Sequence, residues 1–171
     1  MRVFLTGFMG AGKTTVGRLL ALRLGVPFVD LDTEIEARAG VSVREIFERE
    51  GEPRFRAWER ETLRQAIGAA DVVVACGGGT LLQAENLALA RAHGVLVWLN
   101  PPFAVIARRI GGRGKKNRPL FRDEAQALEL YRQRLPLYRQ ADVVVDVGDA
   151  ERAEEVAARI ELLVAKHRCA T

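Results

Sequence analysis

Residues Gly7-Phe8-Met9-Gly10-Ala11-Gly12-Lys13-Thr14 match the pattern G-x-x-x-x-G-K-[ST] without a mismatch. The flanks fit as well. Arg2 to Thr6 read as a short buried strand, and Val16, Leu19, Leu20 and Leu24 recur at helical spacing. A glycine-rich turn between a strand and a helix curls the backbone so that successive N–H groups point inward, at phosphate oxygens. The helix N-terminus adds a field that favours anions. Lys13 is placed to reach the β- and γ-phosphates, and the Thr14 hydroxyl to ligate Mg²⁺. Gly10, Ala11, Gly12, Lys13, Thr14 and Thr15 are therefore candidates for holding a nucleoside triphosphate.

Composition narrows what such a loop serves. At 171 residues the chain is expected to form one domain with one substantial core. No apolar run approaches bilayer length, and Met1 to Leu5 lead straight into the first strand, unlike a signal peptide. Cys76 falls in an apolar strand and Cys169 near the C-terminus, where fraying is expected, so no disulfide is predicted and a reducing cytoplasm fits. His93 and His167 are too isolated for a metal site. The net charge is +4, with 22 Arg against 4 Lys. No basic block carries interleaved aromatics, so the excess suggests a small polyanionic substrate rather than nucleic acid. Arginine's planar fork suits carboxylate and phosphate.

Apolar runs alternate with helical patterns along the whole chain. Strands are predicted at 3–6, 28–31, 72–76, 95–99 and 143–145. Helices are predicted at 13–24, 32–39, 43–66, 84–92, 103–110, 124–139 and 153–166. Buried β-branched strands in that alternation give an α/β fold, a parallel sheet covered on both faces. Sites in such sheets form at the carboxyl ends of the strands. After the second strand come Asp30 and Asp32, two apart and expected on one side; one can support Mg²⁺ and the other accept a proton. Helix capping is the plainer reading of Asp32. After the third strand come Gly77, Gly78 and Gly79, suited to close backbone approach or to a tight turn.

Three further segments carry candidates. Phe47, Phe55, Arg56 and Glu59 lie in a helical region broken near Gly51-Glu52-Pro53. Arg56 and Glu59 are i,i+3 neighbours, although a solvated charged face with aromatics inward explains the same spacing. Gly111 to Leu120 is basic and glycine-rich, as a lid over phosphates or a surface loop would be. Arg134-Leu135-Pro136-Leu137-Tyr138 ends a helix with a proline expected to break it.

Together these residues resemble shikimate kinase. The matching features are G-F-M-G-A-G-K-T-T-V-G, D-L-D, I-F-x-x-x-G-E-x-x-F-R-x-x-E, G-G-G, R-P-L and R-x-P-L-Y, in the family's order over about residues 1–145. The phosphate loop is shared by many families; the combination of the others is specific. The resemblance implies a P-loop, nucleoside monophosphate kinase-like fold of three layers, with five parallel strands in the order 2-3-1-4-5. It implies one kinase domain over residues 1–171, an acceptor-binding segment over about 32–66 and a lid over about 111–123. It implies ATP and Mg²⁺ as cofactors, shikimate as acceptor, no nucleic-acid or membrane partner, a monomer, and a role in aromatic amino-acid biosynthesis.

By the resemblance Lys13 and Thr14 hold phosphates and Mg²⁺, Asp30 supports the metal, and Asp32 activates the attacking hydroxyl. Arg56 and Arg134 clamp the carboxylate, while Gly77, Gly78 and Gly79 contact the acceptor and Phe47 and Phe55 line its ring. Arg118 stabilises the transferring phosphoryl group and Arg109 lies near the adenine. The chain departs from the family after Val145, where Gly148 to Arg152 lack the proline that many members use to cup adenine. Two other readings compete: a gluconate kinase, which also binds a hydroxylated carboxylate, and a silent phosphate-loop protein that binds nucleotide or nucleic acid for regulation.

Overall fold

The computed structural model describes residues 1–68, 70–113 and 124–170. The sheet is built around β1 (Arg2–Thr6), whose Val3, Phe4 and Leu5 have no solvent exposure. A strand covered on both faces must be apolar on both, and the run Val-Phe-Leu is. On one side β1 pairs in parallel with β3 (Val72–Ala75), which pairs with β2 (Phe28–Asp30). On the other side it pairs with β4 (Val95–Asn100), which pairs with β5 (Val143–Asp146). All four pairings are parallel, and the order β2-β3-β1-β4-β5 is the one implied by the resemblance. In register, Leu5 and Asp30 both sit opposite Ala75. The turns that follow β1, β2 and β3 therefore emerge together at one rim of the sheet.

Helices cover both faces. α1 (Lys13–Leu24) and α7 (Ala153–Ala170) bury Val16, Leu20, Val156 and Ile160 against Val3, Leu5, Val97 and Val145. α3 (Val43–Ile67) and α4 (Ala84–His93) bury Leu63, Ile67 and Ala90 against Phe4, Val72, Val74 and Leu96. α5 (Phe103–Arg113) and α6 (Glu124–Tyr138) enclose Phe8 and Trp98 with Ile106, Ile110 and Tyr138. Each buried aliphatic or aromatic side chain contributes about 1.5–3 kcal/mol of stabilisation. α2 (Leu31–Ala39) and the first half of α3 form a separate small core of Ile35, Ile46 and Phe55, standing at the same rim as the turns.

Several boundaries differ from those predicted. β2 stops at Asp30 and α2 starts at Leu31, because the Asp30 carboxylate accepts a hydrogen bond from Thr33 N (3.3 Å) and caps the helix. The capping role weighed for Asp32 thus belongs to Asp30. Asp32 lies in the first helical turn rather than two along a strand. α3 starts with a capping box between Ser42 and Glu45 and is interrupted where expected, at Gly51, whose φ of 79° and ψ of 173° are not helical. Pro136 does not break α6: it sits in the last turn, where it removes one intrahelical hydrogen bond, and the helix runs on to Tyr138. α5 continues past Ile110 to Arg113, and α7 past Lys166 to Ala170, so Cys169 is helical rather than frayed. Both cysteines are free.

Candidate active site

The rim of the sheet opens into a cleft of about 1230 Å³. Gly10, Ala11, Gly12, Lys13, Thr14, Thr15, Asp30, Asp32, Phe47, Phe55, Arg56, Gly77, Gly78, Gly79, Arg109 and Arg134 all line it. Every candidate site residue within the described residues is therefore brought to one place. Arg118 and residues 114–123 of the predicted lid lie outside them.

The phosphate loop owes its curl to glycines at positive φ: 140° at Gly7, 78° at Gly10 and 100° at Gly12. Gly12 precedes α1 without a side-chain cap, and the first turn of α1 has no acidic residue. Those amides are therefore not claimed by a neighbouring carboxylate, as an anion site requires. Lys13 Nζ bridges two loop carbonyls, Gly7 O (2.9 Å) and Phe8 O (3.0 Å). Arg109 Nη1 reaches the same loop at Gly10 O (3.3 Å).

Thr14 Oγ1 donates to Asp30 Oδ2 across 2.6 Å, joining the start of α1 to the end of β2. This pair of hard oxygen ligands fits Mg²⁺. Among the described residues no group of three or more His, Cys, Asp or Glu is arranged to hold a metal ion. Two protein oxygens leave most of an octahedral Mg²⁺ shell to water and phosphate, the arrangement that ion favours. Asp32 opens onto the cleft, yet the concave protein surface around it displaces bulk water. That desolvation, with the like charge of Asp30, pushes its carboxyl up to about 6; Glu59 and Glu36 add to the rise and Lys13 opposes it.

Two arginines face the cleft from different elements. Arg56, on α3, donates from Nη1 to Glu59 Oε2 (2.6 Å) and from Nη2 to Glu52 Oε1 (2.8 Å). The pair with Glu59 is no solvated face: Glu59 is 1% exposed. Arg134, on α6, is 6% exposed, lies over the Phe8 ring at 5.6 Å, and has a buried Nε without a hydrogen-bond partner among the described residues. Between them runs the turn after β3. A Cβ on Gly78 would stand 3.0 Å from Arg134 Nη1, and one on Gly79 would stand 2.8 Å from Arg56 Nη1. The glycines thus keep the floor of the cleft clear beside both guanidinium groups. Tyr138 OH fixes this turn by donating to Gly78 O (2.9 Å), and burial pushes its phenol up to about 12. Phe47 and Phe55 pack with centroids 4.6 Å apart and planes tilted by 39° on the α2–α3 side.

A family model described as shikimate kinase matches residues 9–164. The chain belongs to the shikimate kinase family. A shikimate kinase of Halorhodospira halophila is 48% identical over 163 residues, 93% of this chain and 90% of that protein. The solved shikimate kinase from Acinetobacter baumannii, in complex with shikimate, superposes with a TM-score of 0.90 at 37% identity, covering 96% of this chain and 93% of that one. A gluconokinase from Sinorhizobium meliloti covers 99% and 97% of the two chains at a TM-score of 0.61. At 18% identity it shares the P-loop kinase fold alone. As a member of the shikimate kinase family the chain is a kinase.

The structure adds residues that sequence reasoning did not select. Val147, Glu151, Ala153 and Val156 line the cleft together with Thr15 and Val16 of α1. The loop after β5, which contains no proline, is braced by polar contacts. Glu151 Oε2 accepts from Gly148 N (3.0 Å) and Arg159 Nη2 (3.0 Å), and Asp149 pairs with Arg108. These contacts connect side chains on three elements, and spacing along the chain gives no signal of them.

Proposed function

We propose that this shikimate kinase family member transfers the γ-phosphoryl group of ATP to the 3-hydroxyl of shikimate, giving shikimate 3-phosphate and ADP, in aromatic amino-acid biosynthesis. The observation that carries this reading is the pair of arginines on either side of the triglycine turn, in the same cleft as the phosphate loop. Shikimate offers one carboxylate and three hydroxyls. A buried guanidinium with an unmatched Nε donor, at Arg134, is completed by a carboxylate.

In this reading the loop amides and Lys13 bind the phosphates, with Lys13 Nζ leaving the carbonyls of Gly7 and Phe8 for phosphate oxygens. Thr14 and Asp30 hold Mg²⁺, which when bound offsets phosphate charge. Arg56 and Arg134 orient the ring through its carboxylate, Phe47 and Phe55 flank it, and the backbone of Gly77, Gly78 and Gly79 lies beneath it. Asp32 accepts the hydroxyl proton as the oxygen–phosphorus bond forms and the bond to the β-phosphate oxygen breaks. A carboxylate with its pKa near 6 is well poised for that at neutral pH. Arg109 serves the nucleotide, and Arg118, from the R-P-L motif, supports the transferring group. The chain works as a cytoplasmic monomer, without nucleic-acid or membrane partners. Among the described residues, no helix is long and apolar enough to cross a membrane.

ADP release measured with shikimate, with gluconate and with no acceptor tests the reading. Turnover confined to shikimate, with one phosphate on the 3-hydroxyl by NMR, is expected. Equal turnover with gluconate, or ATP binding with no acceptor turned over, overturns it.

A further inference from the structure

Glu59 is a buried carboxylate that the transfer reaction does not consume. Both its oxygens are occupied. Oε2 accepts from Arg56 Nη1 at 2.6 Å, and Oε1 accepts from Thr80 Oγ1 at 2.5 Å. Thr80 opens the short 3-10 turn Thr80–Leu82 that follows the triglycine and is itself fully buried. Its backbone is tied down on both sides: Thr80 N donates to Gly77 O (3.1 Å), and Asn86 Nδ2, buried on α4, donates to Thr80 O (3.0 Å). A continuous chain of hydrogen bonds therefore runs from α4 through Thr80 and Glu59 to a guanidinium in the cleft wall. The first glycine leaves room for it. A Cβ on Gly77 would stand 2.9 Å from Thr80 Oγ1 and 3.1 Å from Glu59 Oε1.

A carboxylate excluded from water holds a fixed orientation only while both oxygens have donors. On its outer side Arg56 is tethered to Glu52, which is 62% exposed in its side chain and screened by solvent. The inner tether through Glu59 is the one that sets the plane of the fork, and bidentate recognition depends on that plane.

We propose that Thr80 is a positioning residue for recognition of the acceptor's carboxylate: its hydroxyl fixes Glu59, and Glu59 fixes the Arg56 guanidinium. Thr80 does not touch the acceptor. The inference rests on reading the cleft as a shikimate site.

Steady-state kinetics in both substrates test it, with Thr80→Val, which keeps the branched shape but lacks the donor, and Thr80→Ser, which keeps the donor. Thr80→Val is expected to raise the KM for shikimate about tenfold, with the KM for ATP within about twofold of wild type. Thr80→Ser is expected to stay within about twofold in both. In an Arg56→Ala background, adding Thr80→Val should change the shikimate KM no further. Circular dichroism checks folding; if Thr80→Val does not fold, the smaller Thr80→Ala replaces it with the same expectations. An unaltered shikimate KM in the donorless variant overturns the inference. So do equal impairment in Thr80→Ser, parallel rises in both KM values, or full additivity with Arg56→Ala. Wild-type protein inactive on shikimate overturns the functional reading, and this inference with it. Wild-type activity with an unaltered donorless variant overturns this inference alone.

Discussion

Gly79 has no room for a side chain beside Arg56: a Cβ there would stand 2.8 Å from Nη1 and 3.1 Å from Nη2. The clash is with the far end of a long side chain, so the fold can survive it by moving the guanidinium. That movement breaks the alignment held by Glu52 and Glu59. Gly79→Ala is therefore expected to melt within a few degrees of wild type and to bind shikimate about tenfold more weakly. Calorimetric titration alongside a thermal melt checks this; unchanged affinity would show that the guanidinium plane does not matter.

Arg56→Ala and Arg134→Ala should each weaken shikimate binding by roughly 1.5–3 kcal/mol and ATP binding far less. Arg56→Lys should recover little, since a point charge cannot span two carboxylate oxygens or meet both Glu52 and Glu59 in one plane. Arg134→Ala should also lower stability, because it removes the cation packed over Phe8. Equal losses of ATP and shikimate affinity, measured by titration calorimetry, would place these arginines on the wrong substrate.

Much of this arrangement was legible in the sequence, for reasons that can be separated. The strands were visible because a parallel sheet covered on both faces needs unbroken apolar runs, and Val3-Phe4-Leu5 and Val72-Val73-Val74 are such runs. The phosphate loop was visible because its chemistry demands a fixed residue pattern. Ends of elements were less legible. Asp30 closes β2 and caps α2 at once, and only the bond to Thr33 N decides where one ends. The burial of Glu59 was not legible at all. Paired with Arg56 at i,i+3 it looks like any exposed helix pair, and its second donor, Thr80, lies 21 positions away. The part of the cleft next to α7 was equally hidden, because Val147, Ala153 and Val156 meet the phosphate-loop helix only in space.

Lys13→Ala should abolish most turnover while leaving the fold intact. The ammonium ties together Gly7 O and Phe8 O, and in the proposed mechanism it turns to the transferring group. Losing one donor aimed at developing charge costs about 3 kcal/mol or more in the transition state. Near-normal kcat in a folded Lys13→Ala protein would sink the kinase mechanism.

Asp30→Asn and Asp32→Asn should fail differently. The Asp30 carboxylate is bonded to Thr14 Oγ1, so in the proposed mechanism its loss is a loss of cation support. Added Mg²⁺ should partly restore kcat in Asp30→Asn. Asp32→Asn keeps a hydrogen bond to the hydroxyl but cannot take its proton, and kcat should fall by about 10²–10⁴ whatever the Mg²⁺ concentration. A Mg²⁺ titration of kcat in both variants separates them. Rescue of Asp32→Asn with Asp30→Asn unmoved would mean that the two roles are reversed.

The same Asp32 should leave a signature in stability without any substrate. Loss of bulk water within the cleft and the charge of Asp30 hold its carboxyl at about 6 in the folded protein, against an ordinary value of 3.8. Between those pH values the folded state binds more protons than the unfolded chain does. Stability from this group therefore declines as pH rises through that window, and above pH 6 the ionised carboxylate is a net liability. Asp32→Asn removes the charge and the liability. The variant should melt higher than wild type at pH 7.5, with the difference shrinking as pH falls through 6 and gone near pH 4. Wild-type kcat/KM for shikimate should lose its acid-side activity with a midpoint near 6, because the protonated carboxyl cannot accept the hydroxyl proton. Ligand-free thermal melts of both proteins from pH 4 to pH 8 decide the stability claim. A difference in melting temperature that stays constant across that range would show that the cleft does not raise the Asp32 pKa.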